Sequence, residues 1–211
     1  MQNNLKCGLQ PGDFTFGEVL SSGSFGFVLK AMSKNPTKQF AIKIITIEPN
    51  NQKTENEKEI QSEILILEKI TTTNPRPQAI PQYYGYFIQT NTMQQDNYVM
   101  VFDYFPTNLR GFLQNHIDNN QPINFNDLKN IYQALLNGLS FLQSLNFCLR
   151  DISSKSLMID NKGALQIIDF ELSRDIEDLA VNQNEIDLTA TTPEILEAWI
   201  VDIDKVFFLK Y

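Results

Sequence analysis

Alternating and clustered apolar residues along the first hundred positions predict a small antiparallel sheet. The segments FTFGEVL, FGFVLKAM and QFAIKIITI are rich in β-branched and aromatic residues, and SSGS and KNPTK separate them as turns. Two further strands are predicted in IPQYYGYFIQ and NYVMVFDYF. Between these two groups, apolar residues recur at helical spacing at Ile60, Ile64, Leu67 and Ile70. The charged, Asn-rich EPNNQKTENEK before that helix is predicted to be a mobile loop.

From residue 107 onward the pattern predicts mainly helices. TNLRGFLQNHI and FNDLKNIYQALLNGLSFLQSL are the predicted helices, and SLMID and ALQIID are short strands joined by an NKG turn. The second helix carries one apolar stripe, formed by Leu128, Ile131, Leu135, Leu139 and Leu142. A proline interrupts the chain between residues 103 and 107, where we place a domain boundary. The predicted parts are therefore a polar leader (1–13), a first lobe (14–103) and a second lobe (104–211).

Composition narrows the classes of protein that need considering. With 211 residues, 42% of them hydrophobic, the chain can bury a substantial core in one or two domains. A net charge of −8 argues against general binding of nucleic acid or of an anionic membrane surface. Two cysteines and one histidine leave no zinc pattern, and no apolar run approaches the ~20 residues of a membrane helix. The start of the chain lacks the apolar stretch of a signal peptide. We expect a cytoplasmic protein with no nucleic-acid or membrane partner.

Five fragments in a fixed order carry the candidate chemistry. They are the glycine loop LSSGSFGFVLKA, FAIKII with Lys43, SEILILEKI with Glu63, LRDISSKS with Asp151, and IIDFELSR with Asp169. Each has an ordinary structural explanation when taken alone: a hairpin turn, a solvated lysine, a solvated helix glutamate or a turn aspartate. Taken together and in this order, they resemble the eukaryotic protein kinase family.

This resemblance implies an α+β, bilobal, protein-kinase-like fold. A five-stranded N-lobe would carry one helix, and a mostly helical C-lobe would follow. The resemblance covers nearly the whole chain from about Phe14 onward, including TATTPEIL, which is similar to the activation segment, and we expect the C-lobe to be cut short after that segment. Either a regulatory protein partner or a second copy of the chain would cover the apolar surface left exposed there, or the sequence is an incomplete gene product.

The resemblance also implies binding of ATP with Mg²⁺ between the lobes. Val28 and Ala41 would pack on adenine from above and Met158 from below. The hinge would offer the backbone carbonyl of Asp103 and the amide of Phe105, and a bulky residue before Asp103 would guard the back pocket. The full set of implied nucleotide-binding positions is Leu20, Ser21, Gly23, Gly26, Val28, Ala41, Lys43, Phe102, Asp103, Phe105 and Met158.

Phosphate transfer would depend on a second group of residues. The implied catalytic positions are Asp151, Lys43, Glu63 and Lys155, and the implied magnesium ligands are Asp169 and Ser156. Asp151 would accept or orient the proton of the attacking hydroxyl, while Lys43 would hold the α- and β-phosphates and pair with Glu63. Lys155 is either a phosphate contact or a surface lysine, and the sequence favours neither.

Departures from the family pattern leave two functions open. Leu149, Ser156 and Glu171 stand where the family usually has His, Asn and Gly, and Ser21 replaces the first glycine of the loop. Ser156 is the most serious change, because a hydroxyl is a poorer magnesium ligand than the amide oxygen it replaces. The first function is a protein kinase that transfers the γ-phosphate of ATP to a Ser, Thr or Tyr hydroxyl. The alternative is a pseudokinase, which binds nucleotide or other proteins without turnover. A P-loop NTPase is excluded, since no GxxxxGK[ST] occurs.

Overall fold

Two compact units make up the protein in the computed structural model. The structure describes residues 5, 10–23, 26–34, 37–47, 53–93, 95–149, 152–168, 170 and 173–175. Unit 1 comprises Met1–Thr72 and Pro81–Tyr104, and unit 2 comprises Thr73–Ile80 and Phe105–Tyr211.

Unit 1 is built on an antiparallel sheet of five strands in the order β1-β2-β3-β5-β4. The strands are β1 (Phe14–Gly23), β2 (Gly26–Lys34), β3 (Thr37–Ile47), β4 (Tyr83–Thr90) and β5 (Asp96–Asp103). The predicted five-stranded lobe is confirmed, and each predicted strand segment contributes one strand. The predicted SSGS turn is too wide, because β1 continues to Gly23, which pairs directly with Gly26.

One face of this sheet carries an apolar core. Its buried members are Phe14, Ala31, Phe40, Ile42, Phe87, Val99 and Val101. Side chains alternate between the two faces of a strand, so residues 41, 43 and 45 of β3 lie on the face opposite to Phe40 and Ile42. The central strand therefore presents its apolar side to this core and leaves Ala41 and Lys43 on the other side.

The helix of unit 1, α1 (Lys53–Thr72), contacts β3 and β4. Its predicted apolar stripe, Ile60, Ile64, Leu67 and Ile70, is buried. The loop prediction for EPNNQKTENEK is wrong from Lys53 onward, because the helix already begins there. Lys and Glu lose little side-chain freedom in a helix, so a charged segment can extend a helix beyond its apolar stripe.

Unit 2 contains two helices within the described ranges, α2 (Leu109–Asp118) and α3 (Phe125–Ser144). Both predicted helices are confirmed, and asparagines cap them: the side chain of Asn108 accepts a hydrogen bond from the N–H of Gly111 at 2.8 Å. The short strands are β6 (Thr107–Asn108), β7 (Phe147–Cys148), β8 (Leu157–Ile159), β9 (Leu165–Ile167) and β10 (Arg174–Asp175). The predicted strands correspond to β8 and β9, whereas the two-residue strands are too short to leave a periodic pattern.

The segment Thr73–Ile80 belongs to unit 2, although it follows α1 directly in the chain. The N–H of Ile167 on β9 donates a hydrogen bond to the carbonyl of Ala79 at 2.8 Å. Across the part of the chain that the structure describes, none of the helices has the length and apolar character needed to cross a membrane.

Candidate nucleotide site and catalytic loop

Strand register gathers several predicted nucleotide-binding residues of unit 1 on one face of the sheet. Val28 of β2 pairs with Lys43 of β3, and Ala41 of β3 pairs with Phe102 of β5. Residues opposite each other on neighbouring strands share a face, and Ala41 and Lys43 share one because they are two positions apart. These four residues, Val28, Ala41, Lys43 and Phe102, are half-buried. They lie on the face opposite to the apolar core around Phe40.

Lys43 and Glu63 form the best-defined polar contact on this face. The Nζ atom of Lys43 lies 2.9 Å from Oε1 and 3.0 Å from Oε2 of Glu63. The two side chains are only 16% and 8% exposed, so neither behaves as a solvated surface group. Glu63 occurs on the buried side of α1, among Ile60, Ile64 and Leu67. The structure thus brings together two residues that are 20 positions apart in the sequence; their catalytic role stays a prediction.

The glycine-rich segment has a structural requirement of its own. Gly26 has φ +129°, and a Cβ atom built on it would lie 2.1 Å from the carbonyl oxygen of Ile44. No other residue type fits there without moving β2 away from β3. Leu20 and Ser21 on β1 are exposed, so both are accessible as the resemblance implies. Gly26 therefore has a packing role whether or not the loop also binds phosphate.

At the end of β5, Asp103 makes a network that the sequence analysis missed. Its Oδ1 accepts hydrogen bonds from Lys38 Nζ at 2.7 Å and from Tyr84 Oη at 2.9 Å. Its Oδ2 accepts one from the N–H of Gln82 at 3.0 Å, and Lys38 Nζ also donates to Tyr84 Oη. We call these four residues (Lys38, Gln82, Tyr84 and Asp103) the hinge clamp. In the sequence, Lys38 at the start of KQFAIK was the residue that could have indicated this network. The register between β3 and β5 is needed to show that Lys38 lies near Asp103.

Two residues of the hinge clamp, Lys38 and Tyr84, have raised pKa values. Burial lowers the pKa of Lys38, but hydrogen bonds to Asp103 and Tyr84 together with the charge of Asp103 outweigh that effect, and the pKa is raised. For Tyr84 the effect of burial is the opposite: burial is the main reason why its pKa is raised, and the charge of Asp103 raises it further. At neutral pH the clamp therefore holds a charged lysine and a neutral tyrosine hydroxyl.

The loop that would carry catalysis is closed by two serines. Ser156 Oγ accepts a hydrogen bond from the N–H of Ser153 at 2.9 Å and donates one to the carbonyl of Ser153 at 3.1 Å. The hydroxyl of Ser153 lies 3.2 Å from the same Oγ atom. Ser156 is buried, and its hydroxyl already accepts one hydrogen bond and donates another within the loop.

The described donors do not by themselves form a magnesium site. Within the described ranges, no three His, Cys, Asp or Glu side chains are grouped so that they could hold a metal ion. The Ser156 hydroxyl would have to give up its loop contacts to become a ligand, and its metal role stays a prediction. Asp151 and Asp169, like Glu171, lie outside the described residues. The predicted magnesium role of Asp169 therefore stays a prediction.

The remaining predicted positions of unit 2 are placed individually. Phe105 is half-buried and follows the end of β5, while Met158 is half-buried on β8, where it pairs with Asn108 and Gln166. Lys155 is exposed in a turn, and Leu149 is buried. Leu149 therefore acts as a packing residue where the family usually has histidine.

One buried tyrosine on β4 has an unusual hydroxyl. Tyr83 is 1% exposed and packs on the ring of Phe102, with ring centroids 5.3 Å apart. Among the residues that the structure describes, its hydroxyl has no hydrogen-bond partner. Burial, followed by the charges of Glu68 and other neighbours, raises the pKa of Tyr83 far above its usual value.

A five-stranded antiparallel sheet whose central lysine pairs with a helix glutamate is the N-lobe arrangement of protein kinases. The model of the protein kinase domain matches residues 14–203, and the chain belongs to this family. The family resemblance and the kinase-like fold class predicted from the motifs are thereby confirmed.

Individual relatives are serine/threonine or cyclin-dependent protein kinases. A serine/threonine-protein kinase of Kluyveromyces lactis is 29% identical over 182 residues, which cover 74% of this chain and 27% of that protein. The serine/threonine-protein kinase pakG of Dictyostelium discoideum is 29% identical over 161 residues, covering 76% of this chain and 12% of that protein. Cyclin-dependent kinase 12 of Caenorhabditis elegans is 27% identical over 197 residues, which cover 87% of this chain and 25% of that protein. The chain thus spans about a quarter or less of the length of these three curated relatives.

Proposed function

We propose that this protein kinase domain binds ATP and transfers its γ-phosphate to a serine or threonine hydroxyl of a protein substrate. The observation that carries the proposal is the Lys43–Glu63 pair, because a nearly buried lysine held by both oxygens of one carboxylate is pre-set to receive an anion. The names of the relatives support serine and threonine as acceptors.

Each residue contributes a distinct part of that activity. Lys43 supplies positive charge at the phosphates, and Glu63 fixes the direction in which its ammonium group points. Ala41 leaves room on the sheet face beside Val28, as a purine ring requires. Asp151 would orient the attacking hydroxyl, and Asp169 would hold magnesium, whose charge offsets that of the phosphate oxygens.

The second candidate is a pseudokinase, and the Ser153–Ser156 contacts favour it. In this loop the side chain at position 156 serves the backbone of Ser153 instead of being available to a metal ion. A domain that binds nucleotide but lacks a second metal position would act as a binding module. A regulatory protein partner and a cytoplasmic location also stay predictions for either candidate.

ATP turnover by the purified 211-residue chain distinguishes the candidates. We expect phosphate transfer to a serine- and threonine-containing protein substrate. In Asp151→Asn and Lys43→Met, transfer should fall at least about 100-fold, equivalent to about 2.7 kcal/mol of transition-state stabilisation. The matched control is Lys34→Met, since Lys34 is an exposed lysine at the end of the neighbouring strand β2 and should be dispensable.

Three outcomes are informative. Turnover that disappears in both site variants but not in the control supports a kinase. Nucleotide binding without turnover in the wild type supports the pseudokinase instead. Turnover that persists in Lys43→Met and Asp151→Asn means that the assigned residues are not the catalytic ones.

A further inference from the structure

We propose that the hinge clamp is a positioning device for adenine recognition, which fixes the end of β5 so that the backbone carbonyl of Asp103 meets the 6-amino group of the base. This inference rests on the proposed function, because it assumes that ATP is the ligand. It adds Lys38, Tyr84 and the Asp103 carboxylate to the residues that determine which purine is bound.

The clamp holds Asp103 by both its side chain and its backbone. Besides the three hydrogen bonds that its carboxylate accepts, its own N–H donates to the carbonyl of Gln82 at 3.2 Å. Gln82 thus both gives a hydrogen bond to Asp103 and receives one from it. A residue bound in this way at the last position of a strand has little freedom to change its backbone direction.

The side chains of the hinge clamp lie on the face of the sheet opposite to the predicted nucleotide-binding residues. Asp103 pairs with Phe40 across β3 and β5, and Phe40 packs on Tyr84 with ring centroids 5.3 Å apart. Lys43 and Ala41 lie on the opposite face. The clamp can therefore fix the backbone at position 103 without occupying the space that a base would need, as a positioning group must.

The hinge clamp requires a carboxylate at position 103. A carboxylate accepts hydrogen bonds at both oxygens and donates none, so Asp103 can satisfy Lys38, Tyr84 and Gln82 simultaneously. An asparagine would place an N–H donor against at least one of these donors. Lys38 is further held over the ring of Tyr84, with its Nζ 4.7 Å from the ring centroid. Removing the ammonium group or the hydroxyl should therefore loosen Asp103 without opening the apolar core.

A loosened Asp103 should affect one contact of the nucleotide more than the rest. Hydrogen bonds weaken steeply as the donor–acceptor distance and angle depart from their narrow optimum. Phosphate binding through Lys43 does not involve position 103. Loss of the clamp should thus reduce the preference for a purine with a 6-amino group, while triphosphate binding persists.

The test compares binding of ATP with binding of purine riboside 5′-triphosphate, which lacks the 6-amino group, by calorimetry. We expect the wild type to prefer ATP by about 2- to 13-fold, the range that one neutral hydrogen bond of roughly 0.5–1.5 kcal/mol supplies. In Lys38→Met and Tyr84→Phe the ratio should fall close to 1, mainly through weaker ATP binding. Asp103→Asn should behave in the same way.

Asp96→Asn is the matched control. Asp96 begins β5, and its Oδ1 accepts a hydrogen bond from Thr90 Oγ1 at 2.8 Å, so it is also a carboxylate that ties β5 to β4. Its substitution should lower stability to a similar extent and leave the ATP preference unchanged. A comparable loss of preference in this control would show general loosening of the sheet and overturn the proposal.

Nucleotide binding by the wild type and by the clamp variants separates failure of the clamp proposal from failure of the proposed function. If ATP binds but Lys38→Met and Tyr84→Phe keep the wild-type ratio, the clamp has no positioning role and the proposed function survives. If the wild type binds neither triphosphate, both the clamp proposal and the proposed function are wrong. Lys38→Met and Tyr84→Phe change groups at a half-exposed edge, so they decide the question even if Asp103→Asn does not fold.

Discussion

At the scale of single residues, the Lys43–Glu63 pair illustrates why a buried charge is informative. Removing two charges from water is costly, and their attraction offsets this only when the geometry is good. Here one ammonium contacts both carboxylate oxygens at 2.9 and 3.0 Å. A pair of this kind contributes little to net stability, which suggests that its presence reflects what Lys43 must bind.

A double-mutant cycle on this pair tests that view. Glu63→Gln should lower the free energy of unfolding by about 1–3 kcal/mol, because Lys43 loses its carboxylate while remaining largely buried. Lys43→Met combined with the same Glu63→Gln should recover most of that loss, since both charges are then gone. Urea denaturation of the two single variants and the double variant gives the coupling energy.

The control cycle uses Lys30 and Glu18, a more exposed pair on neighbouring strands, with side chains 28% and 69% exposed and 3.8 Å between Nζ and Oε1. Its coupling should be no more than about 0.5 kcal/mol, as is usual for solvated ion pairs. Equal coupling in the two cycles would contradict the claim that burial sets Lys43 and Glu63 apart.

Tyr83 offers a prediction with a pH dependence. Tyr83→Phe should raise the free energy of unfolding by about 1–3 kcal/mol at neutral pH, because it removes a buried hydroxyl that has no partner among the described residues. The pKa of Tyr83 is raised in the folded state, mainly by burial. The unfolded chain therefore releases this proton first, near pH 10, and above that pH the wild type loses stability by up to about 1.4 kcal/mol per pH unit.

The advantage of Tyr83→Phe should thus be constant below pH 9 and grow above pH 10. Denaturation at pH 7, 9 and 10.5 measures it. Tyr132→Phe is the comparison, because Tyr132 is only half-buried on α3 and should add little at pH 7. Burial raises the pKa of Tyr132 as well, so this variant should gain stability above pH 10 in the same direction but to a smaller extent than Tyr83→Phe. A Tyr83→Phe protein that is less stable than the wild type at pH 7 would show that the hydroxyl has a partner.

At the scale of elements, β2 depends on one glycine. Gly26→Ala should destabilise the fold by about 1–3 kcal/mol or more, since a Cβ atom would lie 2.1 Å from the Ile44 carbonyl and φ is +129°. Gly12→Ala is the control, because its Cβ meets nothing within 4 Å. Thermal denaturation of both variants measures the difference. If Gly26→Ala is tolerated as well as Gly12→Ala, the loop glycine is not required for packing.

Elements with a clear period were predictable from sequence, and special contacts were not. The stripe Ile60, Ile64, Leu67 and Ile70 predicts α1 because burial selects apolar residues at each turn. The start of α1 at Lys53 was missed, since its charged first turns carry no such stripe. Asp103 was assigned a backbone role from the resemblance, but its side-chain partners come from distant strands. Register, which depends on the whole sheet, decides those partners.

The candidate site likewise contains contacts that the sequence predicts and contacts that it does not. Lys43 and Glu63 could be paired from motif order alone, because that order reflects one shared arrangement of strand and helix. The Ser153–Ser156 contacts could not be predicted, since the sequence is equally consistent with Ser156 as a metal ligand and with Ser156 as a residue that hydrogen-bonds within the loop. Only the geometry of the hydroxyl distinguishes the two.

At the scale of the whole molecule, the two units carry different parts of the proposed activity. The described residues of unit 1 supply Val28, Ala41, Lys43 and the hinge clamp. Unit 2 carries Ser156 and Met158, and the predicted catalytic aspartates belong to the same part of the chain. The nucleotide is the proposed ligand, so its effect on unfolding of the chain is the broadest test.

Saturating ATP with magnesium should stabilise the folded chain. At 100 times the dissociation constant, a ligand that binds only the folded state adds about 2.7 kcal/mol, or roughly 5–10 °C in melting temperature for a protein of this size. Ala41→Leu should abolish that shift, because Ala41 lies beside Val28 and Lys43 on the proposed nucleotide face and a larger side chain would fill the space for adenine. Scanning fluorimetry with and without nucleotide measures the shift.

Gln39→Leu is the matched control for Ala41→Leu. Gln39 lies two positions earlier on β3, hence on the same face, but it is exposed and pairs with Met32 near the end of the strand. The same leucine there should leave the nucleotide shift intact. A full shift in Ala41→Leu would place the base elsewhere, and the absence of any shift in the wild type at millimolar ATP would refute nucleotide binding by this face of the sheet.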